Sequence, residues 1–252
     1  MISSRQLQTK HNYTKPMPNS EQSFVDRAQK SHALLSALNV FTPVFTPPDE
    51  AISMVNFSTY LNTVDSANLE VENTRSFLAV AQAVRRSASE GAQKLVTQIV
   101  NFVKSNPAWK VDFSRIKELA DKVRTVRPKA RQPAIPPPTP LKPRDRGDGS
   151  YAEIAQHFKA LSAKLVAMPA YVPPDVNIQT GAIGSLASQL EANNDAVDMK
   201  VSDYDRALKV RYAFYFDEET GLAVKFAAIK AAVKGQYGQG STQFAQVRGM
   251  RW

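Results

Sequence analysis

The 252-residue chain is predicted to be all-α, and three observations predict it. Apolar residues recur at helical spacing along most of the chain. No segment alternates apolar and polar residues long enough for a strand. Capping residues and Pro fall where the periodic segments begin and end. The expected architecture is an elongated helical bundle of two tandem homologous units, roughly three helices each, joined by a Pro-rich basic linker.

Residues 1–19 are read as an N-terminal arm and residues 20–110 as the first unit. Asn19 or Ser20 caps a helix that carries Phe24, Ala28, Leu35 and Leu38 on one stripe and stops before Thr42-Pro43. Thr46-Pro47-Pro48-Asp49-Glu50 is a strong start signal. It combines a capping hydroxyl, Pro where the missing N–H costs nothing, and carboxylates at the positive end of the helix dipole. A long helix follows through Ile52, Val55, Tyr60, Val64, Val71, Leu78, Ala81 and Val84, with a break allowed between Asp65 and Asn73, and it ends at Gly91. A third helix carries Leu95, Val96, Ile99, Val100 and Val103 and stops at Ser105-Asn106-Pro107.

Residues 111–149 are read as a linker or strap. Seven Pro between Pro128 and Pro143 cannot continue a helix and favour extended polyproline II backbone. The second unit, residues 150–239, is expected to form helices near 151–168, 175–214 and 221–235. Residues 240–252 form a C-terminal docking tail.

The tandem reading rests on ordered matches. Phe45-Thr46-Pro47-Pro48-Asp49 returns as Tyr171-Val172-Pro173-Pro174-Asp175, an offset of 126 (173 less 47). Upstream, Ser23-Phe24, Ala28-Gln29 and Leu34 match Ser150-Tyr151, Ala155-Gln156 and Leu161 at 127 (150 less 23). Val64, Asn68 and Arg85 match Leu190, Asn194 and Arg211, and at 130 (221 less 91) Gly91 and Val103-Lys104 match Gly221 and Val233-Lys234. Insertions separate these blocks, yet their order is kept.

Several stretches of the second unit carry a family likeness. Ser150-Tyr151, His157-Phe158-Lys159-Ala160-Leu161, Met168 to Pro174, Asn193-Asn194-Asp195, Arg211-Tyr212, Thr220-Gly221-Leu222 and Val233 to Phe244 resemble an uncharacterised family of helical proteins common in Bacteroidota genomes. The likeness covers Ser150 to Trp252 well and the first half poorly, and Ala232 stands where the family usually has Tyr. It implies helices and brings no activity, cofactor or partner.

Composition narrows the chemistry. There is no Cys, so disulfides, thiolate metal sites and cysteine nucleophiles are excluded. The longest apolar stretches, such as Phe77 to Val84, are too short to span a bilayer, and the opening residues lack a secretory core, so the expectation is a cytoplasmic protein without membrane insertion. Glu153 and His157 share a helical face but lack a third ligand, and His32 and His157 are read as equivalent places in the two units. Asp217-Glu218-Glu219 lacks the pattern of a calcium loop and reads as a solvated turn. Gly235 to Ser241 follows a helix, has no Gly-Lys-Ser/Thr ending, and reads as helix termination at Gly235. Arg85 and Arg211 read as snorkelling arginines or as partners of an acid within the bundle.

The net charge of +9 is uneven: residues 101–146 hold twelve Lys and Arg against four acids, and residues 225–252 add five bases and no acid. The first functional expectation is a non-enzymatic structural or assembly protein, without cofactor or small-molecule substrate. It would self-associate or join a larger assembly through its tails and linker, with Phe244, Arg248, Arg251 and Trp252 as partner-binding residues. The alternative is a nucleic-acid-associated protein that uses residues 104–146, with Arg124, Arg127, Lys129 and Arg131 contacting polyanion.

Overall fold

A computed structural model describes residues 21–125 and 150–252. The arm 1–19, the cap at Asn19 or Ser20 and the Pro-rich segment 126–149 lie outside the described residues. The described residues form seven α-helices and three short 3-10 turns, with no strand. The helices are α1 (Glu21–Asn39), α2 (Met54–Ser105), α3 (Lys110–Thr125), α4 (Tyr151–Val166), α5 (Thr180–Phe216), α6 (Leu222–Tyr237) and α7 (Thr242–Arg248). None of them is long and apolar enough to cross a membrane.

The start signals act a few residues later than expected, with Asp49 and not the Thr46 hydroxyl as the cap. Asp49 accepts a hydrogen bond from the Ala51 N–H at 2.9 Å, and Asp175 accepts one from the Asn177 N–H at 2.9 Å. Each aspartate caps a 3-10 turn, Glu50–Ile52 or Val176–Ile178, and the long helix starts just beyond it. Ser150 and Glu153 form a reciprocal capping box at the start of α4, each side chain accepting from the other residue's N–H.

Three expectations are corrected. Gly91 does not end a helix, because α2 runs through it to Ser105. A glycine inside a helix costs about 1 kcal/mol, and the burial of Ala92, Val96, Ile99 and Val103 just after it outweighs that cost. The segment assigned to the linker begins instead with α3, whose Ile116, Leu119, Ala120 and Val123 are buried, while Arg115, Lys117 and Lys122 lie on its exposed side. The basic composition of this segment had masked its apolar stripe. Finally, α6 passes through Gly235 and ends at Gly238, whose φ of 89° suits a residue without a Cβ.

The described residues form two compact units, residues 21–71 with 207–252, and residues 72–125 with 150–206. These do not coincide with the expected tandem halves, 20–110 and 150–239, because α2 and α5 each contribute one end to either unit. The first unit has its own apolar core, with Leu34, Leu38, Phe57, Leu61, Tyr215, Leu222 and Ile229 at or near zero exposure. The core of the second includes Val96, Ile99, Ile116, Phe158, Leu161, Leu165 and Ile183. Between Thr74 and Ser89 no residue of α2 is buried.

Candidate functional site

The C-terminal tail folds back onto the first unit. Ser241 caps α7 by accepting from the Phe244 N–H at 3.1 Å. Val247 is fully buried, and Phe244, Met250 and Trp252 pack partly buried against the same core. The Trp252 ring lies 5.7 Å from Phe216 and 6.3 Å from Tyr215. The Arg27 guanidinium sits 4.9 Å from both the Phe216 and Trp252 rings, a geometry in which a cation is attracted to both aromatic faces. Lys230 Nζ donates to the backbone oxygens of Arg248 at 3.1 Å and Met250 at 2.8 Å, and Gln243 Nε2 donates to Thr42 O at 2.8 Å. The aromatic anchors read as partner-binding, Phe244 and Trp252, thus rest on the chain's own core, while Arg248 and Arg251 remain exposed.

The two matched arginines each lie against an aromatic ring. The Arg211 side chain is buried at 4% exposure, with its guanidinium 4.1 Å from the centre of the Phe24 ring. In the second unit the Arg85 guanidinium lies 4.2 Å from the Tyr151 ring. Beside Arg211, the Tyr215 hydroxyl donates to Phe24 O at 3.0 Å and accepts from Asn68 Nδ2 at 2.9 Å. Burial raises the Tyr215 pKa, so the phenol stays neutral and keeps donating.

The other candidates have local structural roles. Glu153 is engaged in the capping box, and His32 bonds Asp65 at 2.9 Å. Lys159, not His157, makes the matching contact in the second unit, to Glu191 at 2.8 Å. Asp217 accepts from the Thr220 N–H and hydroxyl, both at 2.8 Å, and from the Glu219 N–H at 3.1 Å, which holds its carboxyl below the ordinary value of 3.8. Among the described residues no group of three His, Asp or Glu side chains is placed to hold a metal. Of the polyanion candidates, Arg124 pairs with Asp121 at 3.2 Å, and Arg127, Lys129 and Arg131 lie outside the described residues. A shallow depression lined by Val103, Lys104, Asn106, Pro107, Lys110 and Phe113 brings no acid–base pair together.

What sequence reasoning missed is an open apolar face. Phe77, Val80 and Val84 on α2, spaced three and four residues apart, are 59%, 63% and 47% exposed. The spacing was legible, but the stripe read along this helix ran through Leu78, Ala81 and Val84 instead of Phe77 and Val80. Comparison with protein-family models, curated proteins and solved structures gives no match.

Proposed function

We propose that the protein is a non-enzymatic structural or assembly protein, a duplicated helical chain that works by protein–protein contact. The observation that carries this reading is the open face of α2 at Phe77, Val80 and Val84. Large apolar side chains grouped on a helix face and left in water favour burial against a protein partner, at roughly 25 cal/mol per Å². The duplication is supported by matched local structure: the aspartate-capped turns before α2 and α5, and buried pairs such as Leu34 and Leu161, Ile52 and Ile178, and Ile99 and Ile229. The Bacteroidota likeness of Ser150–Trp252 agrees with helices and adds no chemistry. A second reading, polyanion binding through residues 104–146, is favoured by the clustering of positive charge there.

Sedimentation velocity over a range of concentrations tests the first reading. The intact protein is expected to associate, and Phe77→Ser with Val80→Ser to abolish association at unchanged helicity. An intact protein that stays monomeric, or a variant that associates as before, refutes it. Retention of DNA or RNA that falls steeply with salt, and that disappears when Arg124, Arg127, Lys129 and Arg131 are neutralised together, establishes the second reading instead.

A further inference from the structure

Each compact unit takes its first helix from one half of the sequence and its last helix from the other. In the first unit α7 packs against α6 and α1, and in the second α3 packs against α4. The helix that ends each half therefore lies on the helix that begins the other half. The polar contacts repeat this exchange. Arg211 lies over Phe24 and Arg85 lies over Tyr151, and both the arginines and the aromatics are matched positions of the two halves.

The same holds at the far end of each first helix. The Tyr237 hydroxyl donates to Pro43 O at 2.6 Å, and Trp109 Nε1 donates to Pro169 O at 3.1 Å; Pro43 and Pro169 are 126 residues apart (169 less 43). A contact within each half, which does not cross between them, also matches and differs for a readable reason. Asn68 reaches Phe24 O through the Tyr215 hydroxyl, whereas Asn194 Nδ2 donates directly to Tyr151 O at 3.2 Å. The residue matched to Tyr215 is Ser89, 126 positions earlier (215 less 89), and it is too short to intervene.

We propose that residues 21–125 and 150–252 are two equivalent half-chains, each the binding partner of the other. On this view each half carries an aromatic seat, Phe24 or Tyr151, for the arginine of its partner, and the covalent connection is dispensable for pairing. A contact in which residue i of one partner meets residue j of the other, and j meets i, is the signature of a self-complementary interface. The chemical class of partner that fits the seat is therefore a second half-chain of this kind. A covalent connection between two partners raises their effective concentration, whatever else it adds. The proposal rests on the duplication reading, but it does not depend on what the intact protein assembles with.

The test uses the full chain with a protease recognition sequence placed at residues 134–140 and cut under native conditions. The two fragments are expected to co-elute with the mass of the intact chain and to dissociate only on strong dilution. In the cut protein, Arg85→Met and Arg211→Met are each expected to weaken pairing by roughly tenfold. The exposed neighbours Arg86→Met and Lys209→Met are expected to leave it unchanged. Fragments that separate on cutting overturn the proposal. So does an effect at only one seat, which removes the equivalence, or equal effects at seats and neighbours. Failure of the assembly reading shows elsewhere, as an intact protein that sediments as a monomer while its cut halves still pair.

Discussion

The same substitution at two matched glycines is expected to change stability with opposite sign. Gly91 lies within α2, and a Cβ built on it meets nothing within 4 Å. Gly91→Ala therefore gains the helix propensity difference alone, about 1 kcal/mol. Gly221 caps α6 after the turn closed by Asp217, with a φ of −64° that any residue adopts. Its constraint is space: a Cβ there falls 2.5 Å from Asp217 O, 2.7 Å from Asp217 N and 3.2 Å from Phe216 C, all of them backbone atoms that cannot rotate away. Relieving the contact shifts the turn and disturbs the hydrogen bonds that Asp217 accepts from Glu219 and Thr220. Overpacking of this kind costs about 1–3 kcal/mol. At roughly 2–4 °C per kcal/mol for a chain of this size, Gly91→Ala should raise Tm by a few degrees. Gly221→Ala should lower it by several. Thermal unfolding followed by circular dichroism, with urea midpoints as a second measure, reads both. Shifts of the same sign, or a Gly221→Ala variant as stable as the parent, would refute the steric reasoning.

Two further outcomes are expected. Deleting residues 240–252 removes buried Val247 together with the packed Phe244, Met250 and Trp252, so the melting temperature of the monomer should fall; a truncated chain that melts with the parent but no longer associates would place the tail's work at an interface between molecules. Burial pushes the pKa of Tyr171, whose hydroxyl donates to Ile178 O at 2.9 Å, from 10.0 up to about 12. Because the folded state holds this proton more tightly, the contribution is whole below pH 10 and is lost as pH rises toward 12. Tyr171→Phe should cost about 1 kcal/mol at neutral pH and make the decline between pH 10 and 12 shallower, measured by urea denaturation across that range. A decline as steep as the parent's would remove Tyr171 from the alkaline transition.

The sequence by itself determined what depends on neighbours a few residues apart. Helical periodicity, the start signals after Pro-Pro and the acidic turn at Asp217 all act through contacts within one or two turns of chain, which is why they were legible, although Asp49 and not the Thr46 hydroxyl is the cap. The tertiary structure alone decided which surfaces meet. The stripe on α1 accepts any apolar partner of suitable size, so nothing local says that Phe24 lies under Arg211 rather than Arg85. The same limit explains Gly91, where a local stop signal yields to the burial of Ala92, Val96 and Ile99, and α3, where charge concealed a buried face. It also explains the tail. Phe244, Val247, Met250 and Trp252 declared that they would be buried, but only the folded chain supplies Tyr215, Phe216 and Arg27 as the surface that buries them, because those groups come from opposite ends of the sequence.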